Sequence, residues 1–157
     1  MNLWKRVLLP LIHLAAALAL ISSAHALAGD FYEKDGAAIR GYDPVAYFAD
    51  RKPVKGSSAY KAEYGKSVFH FASPANRDAF AADPARYAPQ YNGFCALGVA
   101  GGYKASIDPA AFAIVDGKLY LNYSKAVQKA WSADVPGFIA KADKNWPKVS
   151  RDTKVIE

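Results

Sequence analysis

Apolar and polar residues alternate most clearly from Tyr60 to Phe71, where Tyr60-Lys61-Ala62-Glu63-Tyr64 and Ser67-Val68-Phe69-His70-Phe71 flank the dipeptide Gly65-Lys66. A period of two on both sides of a two-residue break predicts a β-hairpin. Successive strand residues point to opposite faces, so Phe69 and Phe71 share one face while Val68 and His70 share the other. The pattern recurs downstream, where Ala111 to Val115 and Lys118 to Asn122 flank Asp116-Gly117 and predict a second hairpin.

Elsewhere the apolar residues fall at helical spacing. Tyr42, Val45 and Phe48 lie three apart behind Asp43-Pro44, which predicts a short helix with those three on its inward face. Ser73-Pro74 opens a helix through Phe80, and Asp83-Pro84 starts a turn carrying Tyr87. Gly93 to Ala100 is small and apolar, which predicts a buried short helix stopped by Gly101-Gly102. A turn is expected at Asp108-Pro109, and Ser124 caps a helix through Val127 and Trp131. The last helix is expected to start near Pro136, to carry Phe138, Ile139, Ala142 and Trp146, and to stop before Pro147. Residues 29 to 40 read as an irregular or short extended lead-in, and 49 to 58 as a surface loop. The elements sum to a small α+β domain with two β-hairpins packed among several short helices. The strand-helix-strand alternation of a parallel nucleotide-binding sheet is absent.

The first residues alter the chemical inventory. Lys5-Arg6, the apolar run Val7 to Ile21 and the small residues Ser22 to Ala28 follow the order of an export signal. The run falls short of the ~20 residues that span a bilayer, so a removable signal over residues 1–28 is expected, cut after Ala26 or Ala28. That leaves a domain over 29–150 and a flexible tail over 151–157, in a periplasmic or secreted protein that is not held at the membrane. His13 and His25 depart with the signal, so His70 becomes the sole histidine. Lys5 and Arg6 depart too, leaving 18 basic residues against 14 acids and a formal charge of +4. These charges are interspersed rather than clustered into a stripe, which excludes a nucleic-acid surface. A single cysteine allows no internal disulfide, so stability rests on a core that ten tyrosines and eight phenylalanines can fill. The sequence assigns no oligomeric state.

Several ordered segments share a resemblance: Tyr42-Asp43-Pro44-Val45-Ala46-Tyr47-Phe48, Phe69-His70-Phe71-Ala72-Ser73, Asn76-Arg77-Asp78 with Phe80, Pro84 with Tyr87, and Asp116-Gly117-Lys118-Leu119-Tyr120-Leu121-Asn122-Tyr123. They resemble the YHS domain in its stand-alone exported bacterial form, over about Gly41 to Pro147. The resemblance implies a small α+β fold and a link to metal handling through cysteines after the Asp-Pro-Val stretch and around the serine that follows the hairpin. In this chain those positions carry Ala46, Ala72 and Asn76, none of them a thiolate donor. The metal residues of the family therefore do not carry over.

Candidate chemistry of the chain's own centres on Cys95, the only thiol, and on His70. Copper(I) accepts few, soft ligands, so Cys95 with His70 is a candidate metal pair; zinc would need two carboxylates as well. A second class is a thiol-dependent enzyme with Cys95 near a helix start as nucleophile and His70 as base. No nucleophile signature accompanies Cys95, and Gly98, Gly101 and Gly102 lack the lysine-serine ending of a phosphate loop. A third class is a small-ligand binding module with Tyr42, Tyr47, Tyr91 and Tyr120 lining a cleft. Each has an ordinary counterpart: Cys95 as a small core residue, His70 as a hydrogen-bonded sheet histidine, the tyrosines as core, and Asp43, Asp116 and Asp134 as caps or turn formers. The reading carried forward is a non-catalytic periplasmic YHS-type binding domain, with Cys95 and His70 as candidate ligands for copper or zinc.

Overall fold

The computed structural model describes residues 30–157, so the export signal expected over residues 1–28 lies outside the described residues. The lead-in is short and extended, as expected. Two-residue strands β1 (Glu33–Lys34) and β2 (Ala37–Ala38) pair antiparallel. Helix α1 (Ala46–Ala49) comes next and is only four residues long. Tyr42 therefore precedes the helix; of the expected inward trio, Val45 is buried and Tyr42 and Phe48 are half-buried against the core, while Ala46 and Tyr47 are buried as well. The Tyr47 hydroxyl donates to the Pro109 carbonyl at 2.9 Å, and its ring meets Phe112 at 4.8 Å between centroids, which ties α1 to the second half of the chain.

Both expected hairpins form. Strand β3 (Ser57–Tyr64) pairs with β4 (Ser67–Phe71) across Gly65-Lys66, whose φ values of 55° and 58° are both positive. Consecutive left-handed residues match the twist of the strands they join. The register sets Lys61 opposite His70 and Ala62 opposite Phe69. Phe69 and Phe71 are buried while Val68 and His70 are half-buried, as the alternation requires. Helices α2 (Pro74–Ala82) and α3 (Pro84–Tyr87) succeed the hairpin, with Ser73 and Asp83 accepting from the backbone N–H of Asn76 and Arg86. Phe80 packs between Phe69 and Phe71, at 4.9 and 5.1 Å.

A 3-10 turn over Gln90–Gly93 leads into α4 (Ala96–Ala100), so the expected helix begins later than Gly93 and Cys95 sits at its N-cap. After β5 (Lys104–Ala105) comes the second hairpin, β6 (Asp108–Val115) with β7 (Lys118–Asn122), turning on Asp116-Gly117. Asp108-Pro109 opens β6, where Asp108 Oδ1 accepts the Ala110 N–H at 2.8 Å in a local side-chain turn. Helix α5 (Lys125–Trp131) is capped by Ser124, and α6 (Val135–Val149) by Asp134. Trp131 packs on Tyr120 at 5.5 Å, which packs on Tyr91 at 5.9 Å.

Two departures concern the C-terminal end. Helix α6 continues through Pro147 to Val149 instead of stopping before it. Proline denies a hydrogen bond to the Asp143 carbonyl one turn back. Asp143 and Pro147 are both exposed, so water can serve that carbonyl, and Ser150 N–H bonds the Trp146 carbonyl to extend the last turn. The tail, expected to be loose, ends in β8 (Val155–Ile156), which pairs parallel with β5. Ser106 N–H bonds the Ile156 carbonyl, and Lys104 Nζ holds the carbonyls of Ser150 and Asp152. Among the described residues, no helix is long and apolar enough to cross a membrane.

One buried carboxylate joins several of these elements. Asp43 is fully buried, and its Oδ1 accepts the N–H of Val45 at 2.8 Å and of Ala46 at 3.2 Å. Its Oδ2 accepts the N–H of Ala72 at 2.8 Å, just past β4, and the Asn76 side-chain amide at 2.7 Å, on α2. A buried charge is tolerated when every oxygen is bonded in this way. Asp43→Ala strands these donors, and a loss of about 3 kcal/mol in unfolding free energy is expected from urea titration. A loss below about 1 kcal/mol would mean that the network does not hold these elements together.

Candidate functional site

Cys95 lies at the N-cap of α4, where the chain leaves the 3-10 turn with an N–H bonded to the Ala105 carbonyl. The residue is only 2% exposed. Its Sγ accepts the N–H of Gly98 at 3.4 Å and of Tyr123 at 3.3 Å, and its thiol faces the Asn122 Oδ1 at 3.8 Å. Burial pushes the thiol pKa up, against the smaller lowering effect of the Gly98, Tyr123 and Leu97 backbone N–H groups. None of these neighbours is a base able to take the proton.

His70 sits in a different environment. Its ring lies beside Gly41, where an added Cβ would come within 3.3 Å of His70 Nδ1 and 3.4 Å of Lys55 Nζ. Burial lowers its pKa, and the positive charges of Lys55 and Lys61 lower it further. The surroundings described for Cys95 and for His70 share no residue. Two ammonium groups beside an imidazole also oppose a bound cation. Among the described residues, no group of three or more His, Cys, Asp and Glu side chains is placed to hold a metal ion.

The family model for the YHS domain matches residues 45–91. This segment is a YHS domain. No curated protein and no solved structure matches the chain. The match runs from the start of α1 through the hairpin, α2 and α3 to Tyr91, a shorter span than the Gly41 to Pro147 of the resemblance. Cys95 lies beyond it.

Within the YHS segment, the three positions that the resemblance assigns to cysteines do come together. The backbone of Ala46, the backbone of Ala72 and the side chain of Asn76 all donate to Asp43. Two alanines and an amide supply no thiolate, so the residues present do not fit the metal that the resemblance implies. The sequence predicts only a local cap at Asp43. Its reach to Ala72 and Asn76 spans some thirty residues and has no local signal.

The tyrosines expected to line a cleft mostly fill the core. Tyr47, Tyr91 and Tyr120 are buried, and Tyr42 lies beneath Lys55 with Nζ 4.9 Å from the ring centroid. Burial drives the Tyr47 hydroxyl pKa strongly upward, which keeps it a neutral donor. A different set of residues opens to the surface beside Cys95. A cleft of about 210 Å³ has Cys95, Gly98 and Ala105 at its buried base and Leu97 and Val127 at its sides. Tyr103, Tyr123 and Ile156 form its rim at 46%, 42% and 46% exposure. Tyr123 also donates its hydroxyl to the Glu157 carbonyl, so the tail strand is fastened where it borders the cleft.

The two environments predict distinct behaviours in solution. Alkylation of Cys95 at pH 8 should run at least about tenfold slower in the native protein than in urea, because the thiol is shielded from the reagent and its burial raises the pKa. A native rate equal to or above the unfolded rate would identify an activated nucleophile instead. For His70, the unfolded chain binds a proton near pH 6.5 that the folded chain refuses. Its contribution is fully present above that pH and is lost as pH falls toward the lower folded pKa. His70→Gln should therefore lose less stability than the parent between pH 7.5 and 5.5, and equal losses would contradict this placement.

Proposed function

We propose that the protein is an exported, non-catalytic YHS-type binding protein whose ligand is a small, uncharged apolar molecule held in the cleft beside Cys95. One observation carries the reading. Of the four exposed large apolar side chains among the described residues, three, Tyr103, Tyr123 and Ile156, surround this one cleft. No charged residue among those described lines it, although 22% of the chain is charged. Exposed apolar side chains gathered at one place mark binding sites more often than single scattered ones do. The volume lies below the roughly 300–1,000 Å³ that holds drug-sized ligands, which suits a molecule of one or two rings.

A non-catalytic role is supported by the partners of the thiol, which are backbone N–H groups and an amide rather than a base. Export is supported by the order of charged, apolar and small residues over the first 28 positions. The joint copper or zinc site of Cys95 and His70 draws no support from their separate environments. A larger cleft, about 590 Å³, runs between the lead-in and the tail, but it is lined by acids such as Asp30, Glu33 and Asp152 together with Lys104 and Arg151. That mixture selects no ligand charge.

Calorimetric titration with indole tests the reading. Saturable binding is expected, weakened at least about tenfold by Ile156→Ser at the rim and by Val127→Trp, which fills the cleft. Absence of saturable binding up to the solubility of indole, or binding untouched by both substitutions, would overturn it. So would stoichiometric binding of copper(I) or zinc that disappears in both Cys95→Ser and His70→Ala.

A further inference from the structure

The fourth exposed large apolar side chain, Tyr64, borders a separate cleft of about 290 Å³ that shares no lining residue with the one beside Cys95. Tyr64 at the end of β3 and Trp146 on α6 are its more exposed rings, with Phe31 and Tyr91 buried behind them. Phe31 lies 5.8 Å from Tyr64, and Tyr91 lies 5.8 Å from Trp146, between ring centroids. Asp143, also on α6, is the single charged residue lining the cleft among those described.

The chain invests strain in this arrangement. Tyr91 and Asn92 both hold positive φ, 52° and 51°, a conformation that costs non-glycine residues about 1–3 kcal/mol each. The result packs the Tyr91 ring against both Tyr120 and Trp146 and aims its hydroxyl at Asp143 Oδ1, 2.9 Å away. That hydroxyl also reaches the Ile139 carbonyl at 3.4 Å. No described residue donates to the second Asp143 oxygen, which leaves half of the carboxylate available at the cleft.

Aromatic faces carry a negative quadrupole that attracts cations, and a carboxylate adds to the same potential. The chain as a whole is cationic, at +6, yet no lysine or arginine among the described residues lines this cleft. A hard metal ion needs several oxygen ligands, and one carboxylate does not provide them. A weakly hydrated organic cation needs only rings and a counter-charge. We propose that the cleft bounded by Tyr64, Trp146 and Asp143 binds a quaternary ammonium group.

Choline is the probe, monitored by calorimetry and by tryptophan fluorescence, since Trp146 lines the cleft and Trp131 is buried elsewhere. Saturable binding with a change in Trp146 emission is expected. The neutral isostere 3,3-dimethylbutan-1-ol should bind at least about tenfold more weakly, because it lacks the charge that the rings and carboxylate recognise. Asp143→Asn, an isosteric change at an exposed position with the fold checked by circular dichroism, should weaken choline binding about tenfold. Tyr64→Ala should weaken it as well. Equal affinity for the neutral isostere, no saturable choline binding, or affinity unchanged in both Asp143→Asn and Tyr64→Ala would overturn the proposal.

Discussion

Four hydrogen bonds converge on the buried carboxylate of Asp43, and the first half of the chain takes its arrangement from them. A carboxylate without contact with water is costly unless its lone pairs are occupied. Here the donors come from the start of α1, from the residue after β4 and from α2, so satisfying the charge also fixes those elements to one another. Three of these donors are Ala46, Ala72 and Asn76, the positions at which the YHS resemblance implies cysteines around a metal. A single hydrogen-bonded carboxylate thus ties these three positions together.

With that segment held, both clefts draw on the C-terminal half of the chain. Helix α4, strand β5 and the start of α5 form the base and sides of the apolar cleft, and β8 supplies Ile156 to its rim. The tail can do this because it is fastened at several points: the β5 pairing, the Ser106 bond to Ile156, the Lys104 bonds and the Tyr123 hydroxyl. The second cleft lies where the matched segment ends, with Tyr91 reaching from it to Asp143 on α6. Both clefts therefore sit at junctions between the YHS segment or its successor helix and the C-terminal half. The thiol that stands out in the sequence becomes part of a wall, its sulfur occupied by backbone N–H groups.

What can be read from the sequence is local. The hairpins announce themselves because alternation and the pairs Gly65-Lys66 and Asp116-Gly117 act within a dozen residues, and Ser73, Ser124 and Asp134 cap helices a turn away. Proline at 147 misleads because its cost depends on whether the orphaned carbonyl is buried, which the sequence does not state. The tail misleads because its order comes from pairing with a strand some fifty residues earlier. The apolar cleft escapes sequence reasoning for the same reason: Tyr103, Tyr123 and Ile156 are far apart in the chain and meet only after folding. His70 and Cys95 pair in the sequence as the two soft donors of the expected mature chain, a chemical criterion with no spatial content. Family motifs do find Asp43 and the residues around it, although as a cap rather than as a hub.

Native-state hydrogen exchange at the amides of Val45, Ala46 and Ala72 tests the central role of Asp43 most directly, because all three donate to its carboxylate. If the carboxylate holds α1 and the end of β4 as one unit, these amides open only with the whole domain and share the protection of the slowest core amides. Exchange of Val45 and Ala46 well ahead of Ala72, by separate local openings, would contradict it.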